Sequence, residues 1–378
     1  MACLIYFNRV NRIYTITHYP LEDIALHEAL WGELYKQSDA SVFLNWSWIK
    51  AWLTSIDSVP VVLAAYENTR CVGLAFLTQR NARSSSRINI KQLWLHRKGE
   101  QASDQMWIEH NDFLLHQNNK EQIRLAMVEY LFAQKKLWHE LYFGLTNSKV
   151  IDSLKLNWPS CREVISSPDF EVDLRHKANL DDYLADLSKN TRSQIRRTKK
   201  LLTQSGELEL TLAQTAAQKE TFLEGISRLH KDKWRDTEFG SGFDNPIFEQ
   251  FHRHLIFEDD VTNKTRLYCL TLDKKPIAYI YLLIDDDTWY FYLSAINGHD
   301  DNRVKVGLIA HAYIIEQAIA EKVSKYSFLA GEARYKRSLS NLPETSQTLV
   351  CFYQPTVFMR LRECARRYKN ALPNILRH

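Results

Sequence analysis

Tyr326-Ser327-Phe328-Leu329-Ala330-Gly331-Glu332-Ala333-Arg334-Tyr335-Lys336 begins as a buried strand and ends as a polar stretch. Aromatic and branched residues up to Leu329 suit a packed, pleated segment, and Gly331 marks where the chain leaves it. In open α/β sheets, ligands gather beyond the carboxyl ends of strands. Glu332, Tyr335 and Lys336 then fall at the mouth of a cleft, where a carboxylate can accept a proton and a phenol can donate one. The same residues also read as an ordinary polar loop.

Working outward, strands are expected over 266–272, 276–284 and 288–295, with a helix over 306–322 leading to the quoted strand. Helices over 181–205, 216–233 and 246–257 precede them; a strand over 349–353 and a basic helix follow. The first half repeats this order. A strand at 14–17 is followed by helices over 20–37 and 41–56, then strands over 59–66, 71–79 and 88–96. A strand candidate over 109–116, a helix over 121–135 and a strand over 139–144 complete it. The pattern predicts an α/β (α+β) chain of two similar units, each a mixed sheet flanked by helices. Pro159, Ser160, Ser166, Ser167 and Pro168 mark 157–169 as the linker, which puts the boundary near residue 165 and the units at 1–165 and 166–378.

Composition excludes several classes. The 378 residues suffice for two domains, and 45% hydrophobic with 25% charged residues is a globular balance. Eleven Gly and nine Pro argue against long linkers, and a net charge of +4 is too weak by itself to indicate nucleic-acid binding. Six Cys without a CxxC pair read as reduced core thiols. The apolar run Leu4–Phe7 is shorter than the roughly 7–15 residues of a signal peptide core, and no window approaches the ~20 apolar residues of a membrane span. A cytoplasmic protein is expected. His27-Glu28 and His139-Glu140 start like HExxH, but Trp31 and Phe143 stand where the second His belongs, so no metal site is expected. Neither a GxSxG elbow nor a GxxxxGK[ST] loop occurs.

The densest charge run is Lys189 to Lys200. On a helix Lys189, Arg192, Arg196 and Lys199 share a face, which can hold phosphates or carboxylates or be simply a solvated surface. His230 to Trp234 ends a helix with an imidazole beside a large aromatic, and Trp107, Glu109, His110, Asn111 and Asp112 form a similar cluster. That cluster reads most simply as a strand edge with polar residues outward.

Taken together, Ser188–Arg197 with Gly206, His230 to Trp234, and above all the strand ending in Gly331-Glu332-x-x-Tyr335-Lys336 resemble the CelD/BcsL-like acetyltransferases of the GNAT superfamily. Phe43-Leu44-Asn45-Trp46-Ser47-Trp48 and Asn111-Asp112-Phe113 are similar to first-domain signatures of that family, and FemAB-type transferases share the tandem architecture. The resemblance runs from about Tyr14 to Tyr353. It implies tandem GNAT-like domains, the first non-catalytic and the second moving an acyl group directly from a thioester, acyl-CoA, to an amine or hydroxyl in cell-envelope, polysaccharide or secondary-metabolite chemistry. The donor turn would comprise Arg303, Lys305, Val306, Gly307 and Leu308. Here this chain departs from the usual Gln/Arg-x-x-Gly-x-Gly/Ala loop, since Val306 stands three residues after Arg303 and Gly307 comes one position late. The resemblance further implies Tyr335 as the acid, Glu332 or His230 as the base with Lys336 beside them, and Asn190, Arg192, Arg196, Trp234, Tyr292, Asn111 and Asp112 at the substrate. The acceptor would be a small molecule or glycan. Under the FemAB-like alternative the donor is an aminoacyl-tRNA, and Arg192–Lys200 with Arg360–Lys369 would supply the basic surface. A third reading keeps the fold as a non-catalytic binding module.

Overall fold

A computed structural model describes residues 4–7, 13–83, 88–237, 240–257 and 264–371; Cys3 lies outside them. In chain order the elements are β1 (Leu4–Phe7), β2 (Ile13–Pro20), α1 (Ile24–Tyr35), α2 (Trp46–Ser55), β3 (Val61–Glu67), β4 (Arg70–Arg83), β5 (Asn89–Leu95), β6 (Leu114–Leu115), α3 (Lys120–Ala133), β7 (Glu140–Asn147), α4 (Ser148–Asn157) and β8 (Cys161–Asp173). The second half has α5 (Leu180–Asp186), α6 (Lys189–Ser205), β9 (Leu208–Leu212), α7 (Ala216–Trp234), α8 (Pro246–Phe257), β10 (Thr265–Leu272), β11 (Lys275–Ile284), β12 (Thr288–Ile296), α9 (Val306–Ala320), β13 (Lys325–Ala330), α10 (Arg334–Leu339), β14 (Thr345–Tyr353) and α11 (Val357–Ala371).

The two sheets expected from sequence are one. Strands run β1-β2-β3-β4-β5-β7-β14-β8-β13-β12-β11-β10-β9, with β6 added beside β4. Neighbours are antiparallel except β5/β7 and β12/β13, one parallel pair in each half. The middle of this order is an exchange of strands. β8, from the first half, pairs with β13 of the second, whereas β14, from the second half, pairs with β7 of the first. The stretch 157–169 is therefore no linker, and residue 165 lies inside a central strand. Pro168, which has no N–H to give, sits where β8 passes from pairing with β14 to pairing with β13.

Side chains alternate between two helical layers, as the pleat requires. Leu267 and Cys269 of β10 point into the core under α1, α2, α7 and α8, and Tyr268 and Leu270 into that under α5, α6 and α9. Below the first half, α3 and α4 cover a third core that includes Val350 and Phe352 of the exchanged β14. The single helix expected over 181–205 breaks at Leu187 because Ser188 caps α6, its Oγ accepting from Thr191 N at 3.2 Å. Of the strand expected over 109–116, only Leu114 and Leu115 form a strand; the rest is an irregular loop, with left-handed φ at His110 and, just before it, at Trp107.

Candidate functional site

The parallel pair in each half separates after three residues, and each gap is filled differently. In the first half β5 and β7 pair through Gln92–Trp94 and Glu140–Tyr142. Beyond that, Asn111 closes the gap: its Nδ2 donates to Leu95 O and Gly144 O, both at 2.9 Å, and its Oδ1 meets His96 Nδ1 at 2.8 Å. The residue is fully buried. Both amide hydrogens are engaged by the frame, so Asn111 is a structural clamp and does not line a substrate cleft. Asp112 pairs with Arg124 at 2.6 Å beside a smaller cavity of about 280 Å³.

In the second half β12 and β13 pair only as far as Tyr290 and Ser327. β12 then bulges, with Tyr292 the extra residue between partners of Tyr281 and Leu282. β13 also ends irregularly, with φ of 60° at Leu329. Gly331 follows at φ 142°, and a Cβ there would lie 2.9 Å from Lys336 Nζ. Glycine therefore lets Lys336 fold back to donate to Ala330 O at 2.6 Å and Leu329 O at 3.3 Å. Among the described residues no asparagine fills this gap. Ala330 N instead donates, at 2.7 Å, to a carboxylate from the other half of the chain, Glu109.

Around Glu109 lies a cavity of about 600 Å³ whose wall includes Trp107, His230, Trp234, Phe291, Tyr292 and Lys336. Burial raises the proton affinity of Glu109, and the charge of Asp169 raises it further, against the Ala330 N–H, Lys336 and Gln347. Gln347 of β14 reaches three acceptors through Nε2: Glu109 at 3.1 Å, Asp169 at 3.0 Å and His110 at 3.1 Å. It has two hydrogens for them. The strand exchange assembles this group, with Asp169 from β8 and Gln347 from β14.

His230 is neutral at pH 7, burial and the nearby Lys233 charge having pushed its pKa down to about 4. Its Nδ1 meets Ser241 Oγ at 2.7 Å. That oxygen already accepts two backbone N–H groups of the turn Gly242–Asp244, so its own proton goes to Nδ1 and the ring hydrogen sits on Nε2. In this state His230 is a hydrogen-bond donor. Tyr292 donates to Met106 O at 2.6 Å, and its oxygen lies 3.1 Å from His252 Nε2. His252 is pushed down to about 3 by burial and stays neutral. Since Tyr292 has one proton, His252 donates through Nε2 and accepts from Tyr281 through Nδ1 at 3.2 Å.

Of the residues read from sequence, the cavity brings together His230, Trp234, Tyr292 and Lys336. Glu332 is exposed and does not line it, and Glu109 is the carboxylate that does. Tyr335 packs behind, stacked on His311 of α9 at 5.5 Å, with burial pushing its pKa up to about 12. The basic face of α6 is largely occupied locally: Arg192 donates to Ala185 O, Arg196 pairs with Asp181, and Lys199 lies over the Tyr313 ring. Asn190 is exposed at the start of α6. Arg303 is exposed and forked onto Asp301 at 2.7 Å. Lys305 caps α9 with its amide on Thr198 Oγ1 at 3.1 Å, and Val306, Gly307 and Leu308 form the first turn.

Residues 189–337 match an acetyltransferase (GNAT) domain. No curated protein matches the chain in sequence. Among solved structures, FemX superposes with a TM-score of 0.58 over 92% of this chain and 99% of its own, at 10% identity. L-PGS from Bacillus licheniformis gives 0.54 over 90% and 96% at 10% identity. The C-terminal domain of a putative lysylphosphatidylglycerol synthetase from Agrobacterium fabrum gives 0.54 over 91% and 96%, also at 10%. Such identities establish a shared fold, a mixed α/β architecture over nearly the whole chain. No helix among the described residues is long and apolar enough to cross a membrane.

Proposed function

We propose that this protein transfers an acyl group directly from a thioester, acyl-CoA in the first instance, to an amine or hydroxyl held in the 600 Å³ cavity, and that Glu109 is the general base. The observation that carries the reading is the buried carboxylate that Glu109 of the first half places at the gap between β12 and β13, two strands within the residues that match an acetyltransferase domain. A nucleophilic amine must lose a proton, and a base of raised proton affinity is suited to take it near neutral pH. The bulged edge of β12 past Tyr290, where pairing with β13 has ended, offers backbone N–H groups to the oxygen that becomes negative during attack. His230 Nε2–H is a further donor. The thiolate leaves as the new amide or ester forms, taking up the proton released by the acceptor.

For the donor, the start of α9 has the character of a phosphate site. Lys305 provides no side-chain cap, leaving first-turn N–H groups of α9 without one, and a Cβ at Gly307 would lie 3.0 Å from Ile296 Cδ1, so glycine keeps this turn close to the end of β12. The likeness to CelD/BcsL-like enzymes, and an acceptor of small-molecule or glycan type, belong to this reading. So does a single reactive gap, the one in the second half, to which the first half lends Glu109 while its own gap is closed by Asn111. The aminoacyl-tRNA alternative has less support, because Arg362 and Arg366 of α11 are engaged with Glu140 and Glu363.

Release of free thiol from acetyl-CoA, followed across a panel of amines and alcohols, tests the reading. Acceptor-dependent release that drops about 10²–10⁴-fold in Glu109→Gln is the expected result. Release unchanged in that variant would remove Glu109 from the mechanism.

A further inference from the structure

α11 is held to the sheet by one side. Met359 is buried with Ile90 and Tyr353, and Glu363 is buried against Arg162 and Arg366. The opposite side carries Val357, Leu361, Cys364 and Tyr368, whose spacing places them in one stripe about three turns long. Val357 is 76% exposed, Leu361 64% and Tyr368 71%. Single apolar residues on a surface are ordinary, but a continuous stripe along one helix marks a contact. Arg360 and Arg367, also exposed, run along its border, and the helix's one acidic residue, Glu363, is on the buried side. The end of the β4–β5 hairpin meets the first turn of α11 through Ala82, Ile90 and Phe358, and adds exposed Arg83 and Lys91 nearby.

We infer that α11 seats this protein on an anionic lipid surface, with Val357, Leu361 and Tyr368 entering the headgroup–acyl boundary and Arg360 and Arg367 meeting lipid phosphates. Apolar insertion plus basic flanks is the pattern of a helix lying in a membrane interface. A nucleic acid would use the arginines and leave the aliphatic stripe in water. A second copy would bring arginine borders together with no acidic residue on the exposed faces to offset them. The inference stands apart from the transferase reading.

Co-sedimentation of the full chain with phosphatidylcholine vesicles, with and without phosphatidylglycerol, tests it. Binding is expected to the phosphatidylglycerol vesicles, to weaken about tenfold or more in Leu361→Glu and in Arg360→Ala/Arg367→Ala, and to fall with salt. These positions are exposed, so unchanged circular dichroism and melting in the variants would separate lost docking from lost fold. Absence of binding to phosphatidylglycerol vesicles at low salt overturns the inference, as does binding that Leu361→Glu leaves intact. A concentration-dependent dimer in light scattering that Leu361→Glu abolishes would assign the stripe to a second copy instead. RNA binding lost with the arginines but kept in Leu361→Glu would assign it to nucleic acid.

Discussion

At the scale of single residues, Glu109 is the group on which the proposed chemistry depends. Burial, then the charge of Asp169, raises its proton affinity, so the active ionised form is lost as pH falls through a value above the ordinary carboxylate range. Asp169→Asn removes a like charge and should move the acid limb of the pH–rate profile to lower pH, a shift that simple loss of folded protein does not produce. Stability has the opposite sign. A raised carboxyl pKa favours the folded state while protonated, and that advantage disappears as pH rises through the folded value. Glu109→Gln should therefore flatten the alkaline decline of stability in urea titrations at several pH values, and an unchanged slope would show that Glu109 does not titrate there. His230, Trp234, Tyr292 and Lys336, which the sequence singles out, line the cavity, whereas Glu332, the carboxylate that the sequence offers beside Gly331, does not. Glu109 was in view within the cluster Trp107–Asp112, but it sits in an irregular loop and acquires its role from Ala330, 221 residues away. Periodicity does not report such contacts.

Among the elements, β2 to β5, β7 and β10 to β14 are legible because their apolar faces are local information, and α8 is located to its ends, whereas the short β1 and β9 at the sheet edges are not read as strands. Neither is β8. Its Pro168 and paired serines carry linker composition, and its place depends on β13 and β14, which come more than 150 residues later. The break between α5 and α6 did have a signal, the capping Ser188. The exchange leads to a prediction about coupling between halves. Phe352 is fully buried in the first half's core although it belongs to β14. Phe352→Ala should destabilise the protein by about 3–5 kcal/mol, and hydrogen exchange should show lost protection in β7 and α3. Protection lost solely in the second half would contradict the exchange. Asn111→Ala, which strands the carbonyls of Leu95 and Gly144, should cost about 1–3 kcal/mol for each one left without a donor, read by the same denaturant curves.

For the whole molecule, sequence alone supported a duplicated α/β chain, and the structure merges the two units into one sheet whose seam builds the site. Four neutral histidines are packed into this body: burial pushes His96 and His230 down to about 4, and His252 and His311 to about 3, from an ordinary 6.5. The unfolded chain takes up these protons first. The stabilisation is complete above about 6.5 and is lost as pH falls towards 4 and then 3. Thermal melting followed from pH 7 to pH 4 should show a steep decline, and a flat melting temperature over that interval would mean that these imidazoles are not held neutral.

Calorimetric titration of the purified full chain with acetyl-CoA tests the proposed activity most directly, because it needs no knowledge of the acceptor. Saturable binding at one site, weakened about tenfold or more in Gly307→Glu, where a carboxylate at the start of α9 would oppose the donor's phosphates, is the predicted outcome. Absence of binding at millimolar acetyl-CoA would contradict a coenzyme A thioester as the donor.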